Sequence, residues 1–216
     1  ERYVESEIYL KKSIELKENL KDSRNSIIDT SELAICYGSL GSLYCSMQRY
    51  KESEIYYKKA IYLREELKKS RNSITDISDL ASSYNNLGYL YRSMQKYEES
   101  EIYLKKSMYL YEELKKSRNS LTDISDLASS YRNLGYLHKL MKNYDDAEFY
   151  CKEAINMAEA IPNNNQSHED RKNIVYSGIA LSELYYKKNK LGQAKKYMEK
   201  ALKYQKLIDE KSNELE

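Results

Sequence analysis

Residues Tyr50–Lys96 read YKESEIYYKKAIYLREELKKSRNSITDISDLASSYNNLGYLYRSMQK, and residues Tyr97–Asn143 read YEESEIYLKKSMYLYEELKKSRNSLTDISDLASSYRNLGYLHKLMKN. The two stretches agree at 35 of 47 positions without a gap. The same frame runs backwards over Tyr3–Gln48 and forwards, in weaker form, from Tyr144. Gly41, Gly88 and Gly135 mark the period, and Ser182 takes the glycine's place in the last copy. Self-similarity at such a period marks a repeat architecture, in which each repeat buries its apolar surface only against its neighbours. The chain reads as a solenoid.

Composition supports helices and little else. The 216 residues contain one Pro and six Gly, too few for the many turns of a sandwich or barrel. Thirty-six basic residues against 34 acidic ones leave a formal charge of +2, which argues against a nucleic-acid partner. No apolar run approaches a membrane span, and no charged-then-apolar leader opens the sequence, so no membrane contact is expected. Three cysteines (Cys36, Cys45 and Cys151) are odd in number and lack metal-ligand spacing, which fits reduced thiols in the cytoplasm. Glu1 in place of Met suggests a processed or excised product, and Leu215–Glu216 reads as a cloning scar.

Each repeat divides into two helices. In Ser73–Asp76 and Ser120–Asp123 a hydroxyl residue precedes an acid by three, the spacing of a capping box, and Ser26 and Asp29 hold the same places earlier. An apolar pattern with three- and four-residue steps follows through Ile77, Leu80, Tyr84, Leu87 and Tyr91. After a tight turn at Gln95–Lys96, a second pattern runs from Tyr97 to Leu114 and ends in the basic Lys115–Arg118, favourable at a helix C-terminus. Glycine inside a helix costs roughly 1 kcal/mol against alanine. Its recurrence at Gly88 and Gly135 therefore implies a neighbouring helix too close for a side chain. Small residues at Ser53, Ser100, Ala147 and Ala194, and again at Ala60, Ser107, Ala154 and Ala201, belong to the same close-packed hairpin.

These residues resemble the tetratricopeptide repeat, which places a large aromatic, Leu-Gly and Tyr on its first helix and small-large-small residues on its second. Here the first-helix set reads Tyr37-Leu40-Gly41-Tyr44, Tyr84-Leu87-Gly88-Tyr91 and Tyr131-Leu134-Gly135-His138. The resemblance spans essentially the whole chain and implies an all-α fold, a right-handed solenoid of antiparallel helix pairs with a 47-residue repeat. Departures are the length, against a usual 34, Tyr in place of Trp, and Glu65 and Glu112 in place of the terminating Pro. The segments are most similar to the long-repeat, kinesin-light-chain-like branch of the family. The last repeat drifts furthest, with Gly178 for the aromatic, and Pro162–Ser167 ends its preceding helix early.

The expected organisation is a second helix of a truncated repeat (1–25), repeats at 26–72, 73–119, 120–166 and a divergent 167–208, then a polar tail at 209–216. An unpaired helix at the start leads to the expectation of a longer protein. The resemblance implies that first helices line a concave groove holding an extended peptide. Its positions here include Ser42, Cys45 and Ser46; Asn85, Asn86, Tyr89 and Arg92; Arg132, Asn133, Tyr136 and Lys139; and Glu183, Tyr186 and Lys187. Asn86 and Asn133 share one place in the repeat, and an amide can both donate to and accept from a peptide backbone. Arg92, Arg132, Lys139 and Lys187 outweigh Glu183, so an acidic partner segment is expected. Tyrosines at helical spacing read as core, and His138 as buried structure. No phosphate loop, zinc spacing, nucleophile elbow or cofactor motif occurs, so no enzyme is expected. The leading reading is a peptide-binding scaffold. Self-association through open repeat ends, or service as a regulatory arm of a larger protein, stand as alternatives.

Overall fold

The computed structural model describes residues 2–24 and 26–213, and nine helices run among these residues: α1 (Arg2–Arg24), α2 (Ile27–Ser46), α3 (Tyr50–Arg71), α4 (Ile74–Ser93), α5 (Tyr97–Arg118), α6 (Leu121–Leu140), α7 (Tyr144–Ala160), α8 (His168–Lys187) and α9 (Leu191–Asn213). No strand occurs among the described residues. The segment read as a tail from Asp209 stays helical to Asn213: Ile208 is buried and Gln205 donates to Asp209 Oδ1 at 2.8 Å. Leu215 and Glu216 lie outside the described residues. The chain forms two compact halves, Glu1–Leu110 and Tyr111–Glu216, divided within α5.

Caps and turns set the helix lengths. Ser73, Ser120 and Ser167 each accept from the backbone N–H three residues on, and Asp76, Asp123 and Asp170 return the bond to the serine N–H. The box at Ser167–Asp170 carries the same Ser-x-x-Asp signal as the other two. Ser26 departs from expectation: its hydroxyl accepts from Ile28 N–H at 3.2 Å, so it caps α2 without closing a box on Asp29. Within each hairpin the chain reverses through one left-handed residue, Gln48, Gln95, Lys142 or Asn189, with φ from 55° to 63°. A scarcity of glycine therefore does not preclude tight turns. Each such residue stores modest strain that the flanking helices hold in place.

The glycines mark where helices meet. A Cβ on Gly88 would lie 2.8 Å from Leu104 Cδ2 and 3.2 Å from the Leu104 nitrogen; on Gly135 it would lie 2.6 Å from Cys151 Sγ. A serine opposite Gly41 and Gly88 fastens those two pairs, while Ala147 takes its place opposite Gly135. Ser53 Oγ donates to the Gly41 carbonyl at 2.7 Å, and Ser100 Oγ to the Gly88 carbonyl at 2.8 Å. In the last hairpin the parts are exchanged: first-helix Ser182 donates to the carbonyl of second-helix Ala194 at 2.8 Å. Substitution of the glycine by serine thus keeps the clasp with its direction reversed.

Tyrosine does two jobs. On α3, Tyr56 packs between Tyr37 and Tyr44 of α2 at 6.0 and 5.6 Å, and on α5, Tyr103 sits likewise between Tyr84 and Tyr91 of α4. The hydroxyls then reach back to carboxylates of the preceding second helix. Tyr44 donates to Glu7, Tyr84 to Glu65 and Tyr91 to Glu54 in the N-terminal half; Tyr131 donates to Glu112 and Tyr185 to Glu148 in the C-terminal half. A buried ring contributes apolar area while its polar tip is satisfied. This suits Tyr, in place of Trp, to a stack whose adjoining helices are rich in Glu. Buried His138 takes a tyrosine's place and stacks on Tyr150 at 5.1 Å.

One carboxylate works against the fold. Asp126 on α6 is pushed up to about 6, first by burial and then by Asp123 and Asp170, with Arg118 opposing. A raised carboxyl stabilises the folded chain most when protonated, and that contribution is lost as pH rises through about 6. Asn173 holds the corresponding place on α8 and exchanges hydrogen bonds with Ser129. Asp126→Asn is therefore expected to stabilise the protein at pH 7 by on the order of 1–2 kcal/mol and to do little at pH ~4. Urea titrations at the two pH values check this; an equal shift at both would remove the electrostatic cause.

Candidate protein-interaction surface

Each half carries its own stretch of the expected binding surface. In the N-terminal half, Asn85, Asn86, Tyr89 and Arg92 lie at helical steps of α4. Asn86 is open to solvent, Tyr89 is 47% exposed, and the Arg92 guanidinium lies 4.7 Å from the Tyr89 ring centroid. Asn85 and Arg92 are half-buried. On α2, Ser42 pairs with the Tyr57 hydroxyl at 3.0 Å, and Ser46 donates to the Ser42 carbonyl. Cys45 is half-buried, and burial pushes its thiol pKa up, which removes the thiolate that a nucleophile needs.

In the C-terminal half the corresponding charges are engaged. Arg132 pairs with Glu169 at 2.7 Å and lies 5.9 Å from the Tyr176 ring; Lys139 pairs with Glu183 and lies 5.8 Å from the Tyr136 ring. Both acids belong to α8, so the basic character read along α6 is partly neutralised within the fold. Neither pair is visible in sequence, because the partners stand 37 and 44 residues apart and meet only when α8 packs beside α6. Tyr136 is 45% exposed, whereas Asn133 is 8% exposed. The two equivalent asparagines thus differ: Asn86 is presented and Asn133 is buried. Tyr186, Glu183 and Lys187 are exposed on α8.

The chemistry offered is recognition. Amide, phenol and guanidinium groups supply donors, acceptors and aromatic area for a peptide. Burial pushes the Cys151 thiol up to about 12. No cluster of three or more His, Cys, Asp or Glu that could hold a metal occurs among the described residues. No helix among them is long and apolar enough to cross a membrane.

Three family models described as tetratricopeptide repeat match residues 33–67, 79–160 and 179–206. No curated protein matches the sequence. Among solved structures, BtubC from P. vanneervenii is similar with a TM-score of 0.58 at 14% identity, over 97% of this chain and 93% of that one. MamA is similar with a TM-score of 0.57 at 17% identity, over 91% and 89%. A putative kinesin light chain from Podospora anserina with nearly identical TPR-like repeats gives 0.54 at 12%, over 91% and 87%. At these identities the likeness is one of fold, and it defines an α-solenoid of antiparallel helix pairs. The chain is a tetratricopeptide-repeat protein. Such repeats generally act as non-catalytic interaction modules, and the protein is a protein–protein interaction scaffold.

Proposed function

We propose that the exposed faces of the first helices bind an extended, acidic peptide segment of a partner protein. The observation that carries this is the side of α4, where exposed Asn86 and Tyr89 stand together with Arg92 stacked on the tyrosine. Asn86 would hold the peptide backbone, Tyr89 and Tyr136 would supply contact area, and Arg92 would meet a carboxylate. On α6, a partner carboxylate would take over Arg132 and Lys139 from Glu169 and Glu183, so the preference for acid is expected to be moderate there. The 47-residue repeats and the likeness of their segments support placement in the long-repeat, kinesin-light-chain-like branch. Three free cysteines fit a reducing cytoplasm.

Peptides selected by display against the wild-type chain give the test. Asn86→Ala with Asn133→Ala should weaken their binding by about fivefold or more, one lost hydrogen bond being roughly 1 kcal/mol. Most of the loss should follow Asn86→Ala alone, which should leave thermal stability unchanged because Asn86 is exposed, whereas truncating buried Asn133 should lower stability. Equal affinity for the double variant would sink the proposal. A second reading, self-association, has one observation in its favour: α1 exposes Tyr9 and Leu16, whereas Tyr56 and Leu63, their counterparts on α3, pack against α2. Sedimentation that shifts with concentration, and ceases to shift in Leu16→Glu, would support it.

A further inference from the structure

The second helices carry a feature that the first-helix surface does not use. Ile55 and Tyr62 on α3 are 54% and 62% exposed, and Ile102 and Tyr109 on α5 are 55% and 62% exposed. Each pair is seven residues apart, two turns along one face. Exposed apolar residues scattered singly are ordinary. These recur in register, and Ile55, Tyr62 and Tyr109 border recesses. One groove of about 750 Å³ lies between α1 and α3, with Leu33 and Tyr37 of α2 as its floor and Ile55 and Tyr62 on its wall. A second, of about 730 Å³, lies between α3 and α5, with Leu80 and Tyr84 of α4 as floor and Tyr109 on its wall. Both belong to the N-terminal half.

Their electrostatics agree as well. The first groove is lined by Lys21, Lys58 and Lys59 against Glu18 and Asp22. The second has Lys68, Lys69 and Lys106 against Glu65 alone. Charge of both signs is partly occupied: Glu18 accepts from Tyr37 and Glu65 from Tyr84, and Lys58 donates to Glu54 at 2.6 Å. Lys59 holds its ammonium over the Tyr37 and Tyr56 rings at 5.0 and 5.5 Å, and Lys106 lies 5.2 Å from the centroids of both Tyr84 and Tyr103. Each groove thus joins an apolar floor to an ammonium at its edge. The fold does not require this arrangement. On α7 the places of Lys106 and Tyr109 are taken by Glu153 and Asn156, hydrogen-bonded to each other at 3.1 Å.

We propose that these two grooves are a second docking site, distinct from the first-helix face, for an acidic peptide segment bearing a bulky apolar side chain. The side chain enters between the second helices onto Leu and Tyr, and a flanking carboxylate meets Lys59 or Lys106. The lysine excess of the second groove, and the ammonium of Lys59 or Lys106 at the edge of each, select the acidic partner. A second copy of this chain offers no net charge match, because Glu54 and Glu101, which precede its own Ile55 and Ile102, are already paired with Lys58 and Lys105. An anionic bilayer is disfavoured because the apolar floor is recessed and exposed Glu65, Glu66, Glu98 and Glu99 stand on the same helices.

The test uses the full chain and a random-peptide display library. The variant Lys59→Glu/Tyr62→Asn/Lys106→Glu/Tyr109→Asn installs in both grooves the residues that α7 already carries, and circular dichroism confirms its fold. Selected peptides should include a class with Phe, Trp or Leu flanked by Asp or Glu. That class should lose at least about tenfold in affinity for the groove variant and keep its affinity for Asn86→Ala. The complementary pattern, in which every peptide responds to Asn86→Ala and none to the groove variant, would overturn this site and leave the first-helix reading standing. Loss of binding to phosphatidylserine vesicles in the variant, with no such peptide class, would overturn it in favour of a membrane. Loss of self-association in the variant, again without peptides, would overturn it in favour of a second copy.

Discussion

Replacing Gly88 by leucine is expected to be among the most damaging single changes to this protein. Even the first added carbon would stand 2.8 Å from two atoms of Leu104 and 3.2 Å from a backbone nitrogen, so α4 and α5 must separate. Overpacking of a tight core costs on the order of 1–3 kcal/mol. Loss of the Ser100–Gly88 clasp would add about 1 kcal/mol. Gly38 provides the control. It is also inside a first helix, but an added Cβ there meets nothing within 4 Å. Gly38→Ala should therefore stabilise by up to about 1 kcal/mol, the helix-propensity difference alone. Two nearest contacts of a Gly88 Cβ are side-chain atoms of Leu104, so Gly88→Ala and Leu104→Ala should couple, the pair costing less than the sum of the singles. Thermal or urea melts of the five variants, the Gly88→Ala/Leu104→Ala pair included, decide it. Equal effects at Gly38 and Gly88 would show that close approach is not what keeps Gly88 a glycine.

Acid should unfold the protein over a defined window. Asp76 is held at about 2, first by the Arg71 guanidinium bonded to it, against desolvation, and then by Ser73. For Glu148, burial would raise the pKa, but bonds from Lys152, Tyr185 and Lys188 outweigh it and hold the carboxyl at about 2. A group whose folded pKa lies below its unfolded one stabilises the fold at neutral pH. That contribution drains as pH falls from about 4, where the unfolded carboxyl takes up its proton, to about 2. Each should supply on the order of 2 kcal/mol, one in each half of the chain. Urea midpoints followed from pH 6 to pH 2 should fall steeply below pH ~4, and less steeply in Asp76→Asn and Glu148→Gln, which start lower. A profile flat to pH 3 would mean that these carboxylates are not stabilised by their partners.

The position of each part of the first-helix surface could be read from periodicity, because residues at three- and four-residue steps share a helical face in whatever fold they join. Its electrostatics could not. In sequence Arg132 and Lys139 read as charges facing a partner, yet Glu169 and Glu183 of α8 neutralise them. The equivalence of Asn86 and Asn133 in the repeat likewise did not extend to their exposure. Nor does periodicity show that Lys59 and Lys106 of the second helices rest on tyrosine rings at the edges of grooves.

The sequence by itself determined the helices short of the end of α9, the Ser73 and Ser120 capping boxes and the hairpin pairing, since these depend on residues near in the chain or copied at a constant interval. Gly41, Gly88 and Gly135 specify where helices touch for the same reason: a missing side chain leaves a legible mark. Only the tertiary structure decided which tyrosine hydroxyl finds which glutamate, which cations are already paired, and where second helices part to leave a recess. Those outcomes depend on distances between side chains on different helices. A carboxylate is worth little in water and much beside a desolvated hydroxyl or guanidinium, and packing alone brings the two together.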